Sequence, residues 1–247
     1  VPAEWVRADG ARAGTAVLYL HGGGYCIGSI RTHRALAARI SRATRLEVLL
    51  IDYRLAPEHP HPAAVTDAAR AYDFLIASGI PANRIVIAGD SAGGGLTFAT
   101  LLALRDNNTP LPAAGVAISP WTDLECNSET FTTRAELDPM CTAVGLKQMA
   151  DWFLDGGNAR EPLASPLHAD FADLPPMLIH VGDHEVLLDD SVRIAERARA
   201  AGVDVTLEVW PEMIHVWHAF AGMVPEADEA ISRIAAFLRE GPLSEIG

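Results

Sequence analysis

Short apolar runs alternate along the chain with segments of helical periodicity. Six runs have the length of strands and cover residues 16–20, 46–51, 85–88, 116–118, 177–181 and 203–209. The middle runs are almost continuously apolar, which is typical of parallel strands covered on both faces. Between runs, apolar residues recur at helical spacing, as Val65, Ala68, Tyr72 and Leu75 do. The pattern predicts an α/β fold, a mostly parallel sheet with helices on both faces and right-handed crossovers.

The segment 122–164 interrupts this alternation. It contains no strand-like run, and its one helical pattern lies within 146–154. We interpret it as a small helical, cap-like insertion that covers the carboxyl edge of the sheet, where ligand sites of α/β proteins lie. Because no repeat, low-complexity tract or linker divides the chain, we expect a single domain over 1–247.

Charge and cysteine usage narrow the class of protein. The chain has 247 residues and a formal net charge of −13, so its mean field repels nucleic acid and anionic membranes. No apolar run approaches the ~20 residues needed to span a bilayer, so we expect no membrane insertion. The three cysteines, Cys26, Cys126 and Cys141, are widely spaced and odd in number. They favour a reducing compartment, and we expect a cytoplasmic protein.

A glycine-rich turn around Ser91 is the first candidate for chemistry. Gly89-Asp90-Ser91-Ala92-Gly93 follows the run 85–88 directly and precedes a helical pattern. This context is typical of a nucleophile elbow, in which small residues on either side let the serine adopt a sharp strand-to-helix turn. The alternative is a glycine-rich turn of a Rossmann-like unit.

A second glycine cluster, His21-Gly22-Gly23-Gly24-Tyr25, follows the run 16–20. Successive glycines let backbone N–H groups converge on one point, as an oxyanion formed during acyl transfer requires. A phosphate-binding loop is the alternative, but no GK[ST] follows and the next helix begins only near Thr32. We interpret His21 as a structural hydrogen-bonding residue.

Together with the segment Asp52–Pro60 and the block Gly182–Asp190, these motifs resemble the bacterial hormone-sensitive lipase family of α/β-hydrolase esterases. Within that family the sequence is most similar to small acetyl esterases and monoterpene lactone hydrolases. The resemblance covers nearly the whole chain and implies an α/β-hydrolase fold. Family members usually carry a longer N-terminal cap than the 20 residues that precede His21 here, so we expect that cap to be largely missing.

The chain order of this fold places an acid and then a histidine after the serine. His215 follows the run 203–209 on a loop and matches the family's histidine motif. Four carboxylates follow the run 177–181: Asp183, Glu185, Asp189 and Asp190. The family's D-x-L-x-D pattern implies that Glu185 is the acid, while Asp183 and Asp189 stay open as alternatives. Capping of the next helix accounts for at least one of the last two carboxylates.

These residues predict a serine carboxylesterase that acts on short-chain acyl esters through an acyl-enzyme. The predicted catalytic residues are Ser91, Glu185 and His215, and the oxyanion hole is formed by the N–H groups of Gly23, Gly24 and Ala92. We assign the substrate pocket to five residues: Tyr25, Asp90, Trp121, Ile214 and Trp217.

Two alternative functions remain at this stage. One is lactone hydrolysis by the same mechanism, and the other is a small-ligand-binding protein that has kept the fold without catalysis. We expect no cofactor and no metal, because the pair His59 and His61 lies in a proline-rich turn and the histidines near Glu185 lack metal-ligand spacing. The resemblance also implies a homodimer formed through the last strand and helix, over Val203–Leu238.

Overall fold

Seven strands form one sheet in a computed structural model that describes residues 1–246. The sheet order is β1-β3-β2-β4-β5-β6-β7, and only β1 is antiparallel to its neighbour. The strands are β1 (Ala3–Val6), β2 (Arg12–Leu20), β3 (Leu46–Ile51), β4 (Ile85–Asp90), β5 (Ala114–Ile118), β6 (Met177–Gly182) and β7 (Val205–Trp210).

Helices cover both faces of this sheet. They are α1 (Ile30–Thr44), α2 (Ala63–Ala77), α3 (Ala92–Asp106), α4 (Thr130–Thr133), α5 (Ala143–Leu154), α6 (Leu188–Ala200) and α7 (Pro225–Glu240). Apolar residues of α1 and α7 pack on one face, and those of α2, α3 and α6 pack on the other. Side chains of β2 alternate between these cores: Val17 and Tyr19 belong to the first, and Leu18 and Leu20 to the second.

The predicted α/β-hydrolase fold is confirmed, and the one strand that the pattern missed is β1. Only Val6 of its four residues is buried, so the strand carries no apolar run that could reveal it. It pairs with β3 at the edge of the sheet, from Ala3 opposite Ile51 to Val6 opposite Val48. Its position depends on a partner that lies more than forty residues away in sequence.

The insertion 122–164 contains α5 as predicted, together with the one-turn helix α4, which is too short for periodicity to reveal. Thr142 caps α5 by accepting a hydrogen bond from the N–H of Gly145 at 3.1 Å. Two contacts tie the insertion to the loop after β6: the Val186 N–H donates to Asp138 Oδ2 at 3.0 Å, and the Thr130 hydroxyl donates to the Val186 carbonyl at 2.8 Å. The insertion therefore lies against the carboxyl ends of the strands.

The expectation that Asp189 or Asp190 caps α6 is wrong, because no side chain makes a capping hydrogen bond there. Asp190 is fully buried, and its Oδ2 accepts from the backbone N–H groups of Thr122 and Asp123 at 2.7 and 2.9 Å. Asp189 accepts from the N–H of Thr130 at 3.1 Å. Both carboxylates hold the insertion in place instead.

Candidate active site

Ser91 stands at the sharp turn between β4 and α3. Its backbone has φ 55° and ψ −121°, a conformation that L residues rarely adopt. A Cβ at Gly89 would overlap the Gly93 carbonyl, and one at Gly93 would overlap the carbonyl of Leu20, so both positions require glycine. The Ser91 N–H donates to the Ile118 carbonyl at 2.8 Å and fixes the turn on β5. The geometry is that of a nucleophile elbow.

The glycine loop after β2 presents unused backbone donors beside this turn. Gly23 and Gly24 have φ of 119° and 60°, and side chains there would overlap the Ile27 carbonyl and the Met149 sulfur, respectively. Within residues 1–246 neither glycine N–H has a hydrogen-bond acceptor. The N–H of Ala92, the first residue of α3, has no acceptor within its helix either. These groups can therefore donate to an oxyanion.

A buried carboxylate orients the imidazole of His215. His215 Nδ1 donates to Glu185 Oε2 at 2.8 Å. The other oxygen of Glu185, Oε1, accepts from the Ser119 hydroxyl at 2.7 Å and from the Gly182 N–H at 2.6 Å. Ser119 Oγ in turn accepts from the Val216 N–H at 3.1 Å. One hydroxyl thus joins the acid to the loop that carries the histidine.

The surroundings of His215 stabilise the imidazolium that forms when the ring takes a proton during acyl transfer. Burial lowers its pKa, but the neighbouring Cys141 and Glu185 outweigh burial, and the pKa of His215 lies well above its ordinary value. An imidazole with such a partner takes up a proton readily. The structure records no hydrogen bond between Ser91 Oγ and His215, although both residues line one cavity.

The alternative acids face other partners. Asp183 is partly exposed, and its Oδ1 accepts from the Glu212 N–H at 2.7 Å. Asp189 binds the insertion, as described above. Neither carboxylate forms a hydrogen bond with His215 within the described residues, so Glu185 is the acid that the structure brings to the imidazole.

The cavity in front of Ser91 has a volume of about 420 Å³. Its walls come from the glycine loop, the start of α1, the insertion and the loop after β7. The lining residues are Gly22, Gly23, Gly24, Ile27, Gly28, Thr32, His33, Asp90, Ser91, Met140, Cys141, Thr142, Gly145, Leu146, Met149, His215, Val216, Ala219 and Phe220.

Of the five residues assigned to the pocket, the structure places Asp90 in this lining and the other four outside it. Tyr25 is buried behind the glycine loop, where its ring stacks on that of Phe153 at 3.9 Å between ring centres. Trp121 is fully buried beside Tyr25, at 6.2 Å between ring centres. Large aromatic rings gain more from burial in the core than they do at a solvent-filled wall.

Trp217 and Ile214 flank His215 in sequence, yet both turn away from the cavity. Trp217 packs on His218 at 4.0 Å between ring centres and belongs to the core under α1 and α7. Ile214 packs against the same core. The assignment of these two residues to the pocket therefore needs correction.

The sequence interpretation missed the residues that the insertion and α1 contribute. Met149 packs on Gly24, Cys141 faces His215, and His33 contacts Asp90. Met149 lies within the predicted helical stripe, which marks a packed face but not what that face covers. Cys141 and His33 carry no local signal, because their role depends on how separate elements meet.

One group of potential metal ligands occurs in the described part of the chain, and it lies outside the cavity. The ligand atoms of Asp123, Glu125 and His168 lie within 4.8 Å of one another. Asp123 is already paired with Arg193, and Glu125 with Arg160. The catalytic cavity contains no such group among the described residues.

Comparison with known proteins agrees with this geometry. Residues 17–219 match the family model described as alpha/beta hydrolase fold. The chain belongs to this family. The esterase is 49% identical over 237 residues to an acetyl-hydrolase of Streptomyces hygroscopicus, covering 96% of this chain and 79% of the relative. It is 35% identical over 238 residues to an esterase of Acinetobacter venetianus, and the match covers 96% of this chain and 78% of that relative.

Solved structures give the same result. One is an esterase of the bacterial hormone-sensitive lipase family, with a TM-score of 0.96 and 53% identity over 98% of this chain and 81% of that chain. Another is EstE5 soaked with p-nitrophenyl butyrate, with a TM-score of 0.94 and 54% identity. The match covers 96% of this chain and 80% of that chain. The predicted membership of the hormone-sensitive lipase family and the predicted carboxylesterase class are confirmed.

The relatives also define the substrate class at a coarse level. Their names imply small-molecule esters as substrates. Among the residues that the structure describes, no helix of the esterase is both long enough and apolar enough to cross a bilayer.

Proposed function

We propose that the esterase hydrolyses short-chain acyl esters by a two-step serine mechanism. The observation that carries this proposal is the hydrogen bond from His215 Nδ1 to the buried Glu185, on the wall of the cavity that Ser91 also lines. The unused N–H groups of Gly23 and Gly24 border the same cavity. Nucleophile, base, acid and oxyanion donors are thus present together.

In the first step His215 accepts the Ser91 hydroxyl proton while Oγ attacks the ester carbonyl carbon. The tetrahedral oxyanion binds the N–H groups of Gly23, Gly24 and Ala92. Collapse of this intermediate breaks the bond to the alcohol oxygen, which takes the proton from His215. In the second step water attacks the acyl carbonyl carbon and gives a proton to His215. The bond between the acyl carbon and Ser91 Oγ then breaks, Oγ takes that proton from His215, and the carboxylic acid leaves.

The size of the cavity supports short acyl chains. Its volume of about 420 Å³ lies toward the small end of the usual range for ligand pockets, roughly 300–1,000 Å³. Leu146 and Met149 of α5 close one side of it. The names of the relatives agree, since one is an acetyl-hydrolase and one structure was soaked with a butyrate ester. Lactone hydrolysis is the alternative, because the same steps open a cyclic ester.

Hydrolysis of p-nitrophenyl acetate, butyrate and octanoate tests the proposal. We expect turnover that falls from butyrate to octanoate and that Ser91→Ala reduces to background. Ser232→Ala, an exposed serine on α7, is the matched control and should retain full activity. Activity in a folded Ser91→Ala protein would refute the serine mechanism. Absence of turnover in the folded wild-type protein would favour the ligand-binding alternative.

Dimerisation through β7 and α7 and a cytoplasmic location also remain proposals. Within the described sheet β7 pairs only with β6, which leaves one edge open, and Val209 on this strand is 44% exposed. An open edge strand can pair with that of a second copy. Sedimentation equilibrium of the wild-type protein distinguishes a dimer from a monomer. The three cysteines are free thiols, in keeping with a reducing compartment.

A further inference from the structure

A buried carboxylate lies next to the place where negative charge develops in the reaction. Asp90 directly precedes Ser91, is 3% exposed and lines the catalytic cavity. A Cβ at Gly22 would overlap Asp90 Oδ2, so this oxygen touches the backbone of the glycine loop. An anion at this position repels the oxyanion of the tetrahedral intermediate, and the repulsion is strong where water is excluded.

His33, near the start of α1, faces this carboxylate from the other side. Its Nε2 lies 3.3 Å from Asp90 Oδ2, and its Nδ1 lies 2.8 Å from Thr32 Oγ1. The second carboxylate oxygen of Asp90 accepts from the Tyr19 hydroxyl at 2.8 Å. The His33 side chain is 17% exposed and lines the same cavity as Ser91. Asp90 therefore has one neutral partner and one that can carry a positive charge.

The environment favours the ionic form of the pair. Burial raises the pKa of Asp90, but the His33 and Tyr19 contacts outweigh it and the pKa falls below its ordinary value. Burial lowers the pKa of His33, but Asp90 outweighs it and raises the pKa. The other titratable ring near His33 is that of His21, at 5.4 Å between ring centres, and burial lowers its pKa so that it remains neutral. The nearby carboxylate of Asp52 is held by another partner, since its Oδ1 accepts a hydrogen bond from the Ile30 N–H at the start of α1.

We propose that His33 is a positioning residue whose positive charge compensates Asp90 beside the oxyanion hole, so that the hole presents no net negative charge to the reacting ester. The inference rests on the proposed serine mechanism and deepens it. Asp90 packs against Gly22 of the glycine loop, and the charge of His33 offsets that of the carboxylate next to the oxyanion. The compensation acts on the transition state, since the bound ester carries no charge at its carbonyl oxygen.

A double-mutant cycle on kcat for p-nitrophenyl butyrate tests this role. His33→Gln keeps a hydrogen-bond donor but removes the charge, and we expect kcat to fall roughly ten- to a hundredfold while KM changes little. Adding Asp90→Asn to this variant removes the uncompensated anion and should restore most of the loss. His59→Gln, an exposed histidine in the loop before α2, is the matched control and should behave as wild type.

A second comparison, between Asp90→Asn and the double variant, does not require the His33→Gln single variant to fold. In an Asp90→Asn background, His33→Gln should change kcat by less than about threefold, because no buried anion is left to compensate. Equal kcat for His33→Gln and wild type would overturn the proposal. A folded double variant no more active than His33→Gln would also overturn it, since the histidine would then be only a structural support.

Failure of this inference and failure of the serine mechanism give different results. If Ser91→Ala retains activity, the proposed mechanism itself is wrong, whatever the His33 variants do. If Ser91→Ala is inactive and the double variant shows no recovery, only the compensating role of His33 is lost. Thermal unfolding of each variant verifies that the comparisons concern folded protein.

Discussion

The side chain that holds the imidazole of His215 is a glutamate whose two oxygens have different partners. Oε2 accepts from His215, while Oε1 is held by Ser119 and Gly182. The carboxylate is fully buried, so its orientation is set by these hydrogen bonds rather than by water.

Replacing this acid tests its role directly. Glu185→Gln keeps the shape of the side chain but removes the negative charge that stabilises the imidazolium, so we expect kcat to fall by roughly 10³- to 10⁴-fold. Loss of the carboxylate also lowers the pKa of His215, so the acid limb of kcat/KM should move to lower pH. Asp183→Asn is the control and should retain wild-type activity. Equal losses in both variants would contradict the assignment of Glu185.

Among the described residues, Cys141 is the one cysteine that lines the cavity in front of Ser91. Asp138 holds it in place, with Oδ1 accepting from the Cys141 N–H at 2.9 Å, and Cys141 lines the same cavity as His215. Burial raises the pKa of Cys26 to about 11 and that of Cys126 to about 12, which makes these two thiols weak nucleophiles. Alkylation of Cys141 would place a new group against the imidazole.

We therefore expect iodoacetamide to inactivate the wild-type esterase and to leave Cys141→Ser active. Mass spectrometry of the treated protein should find the modification at Cys141 before it appears at the other two cysteines. Equal inactivation of wild type and Cys141→Ser would show that the reagent acts elsewhere. Protection of the wild-type protein by excess butyrate ester would agree with a thiol inside the substrate cavity.

At the residue scale, local sequence motifs point to the proposed reacting residues more directly than to the residues that line the cavity. Ser91 and the glycine loop have local motifs, because a sharp turn and converging N–H groups require particular residues at fixed spacing. Glu185 and His215 needed the family pattern to be chosen among several neighbours. Tyr25, Trp121 and Trp217 were misassigned because a position at a strand end does not decide which way a side chain turns.

At the scale of elements, α5 supplies the side chains that close the cavity. Its buried residues, Leu146, Ala150 and Phe153, pack in the core, and Met149 packs on Gly24 at the edge of the proposed oxyanion hole. A capping hydrogen bond from the Gly145 N–H to Thr142 Oγ1 stabilises the start of the helix. The size of the substrate cavity is therefore set by an element that holds none of the proposed catalytic residues.

Shortening Met149 should change chain-length preference without removing the chemistry. We expect Met149→Ala to raise the ratio of kcat/KM for p-nitrophenyl octanoate to that for the acetate by roughly tenfold, a change typical of a few methylenes in a pocket. Lys147→Ala, which removes the exposed pairing partner of Asp151 on the same helix, is the matched control. A ratio that stays unchanged would show that the acyl chain does not contact α5.

Elements with continuous apolar runs were predicted well, and short elements were not. The run 46–51 coincides with β3, which is apolar except for the half-buried Glu47, because a strand covered on both faces needs mostly apolar residues. The strand β1 and the helix α4 have four residues each, too few to show a period. Their conformation is fixed by partners elsewhere in the chain, which local patterns do not contain.

At the scale of the whole molecule, one buried carboxylate links stability to pH. Asp190 joins α6 to the start of the insertion, and burial raises its pKa to about 7. The unfolded chain releases this proton near pH 4, whereas the folded protein retains it until about pH 7. Across that window the folded state binds more protons, so this group makes the free energy of unfolding decrease as the pH rises.

Asp190→Asn should remove this dependence, because an amide keeps an acceptor for Thr122 and Asp123 and resembles the protonated acid. We expect the free energy of unfolding of wild type, relative to the variant, to fall by roughly 2–3 kcal/mol between pH 5 and pH 8. Urea unfolding of both proteins at the two pH values measures it. A constant difference between the two proteins would mean that Asp190 is ionised throughout.

The contacts that tie the insertion to the loop after β6 bear on protein engineering. The proposed reacting groups follow the ends of the strands, whereas much of the cavity wall belongs to residues 122–164. A segment from another esterase could replace this one and transfer its substrate range, provided that it retains Asp138 and Thr130 as attachment points for Val186. A transplant that lacks them would loosen the loop that carries Glu185.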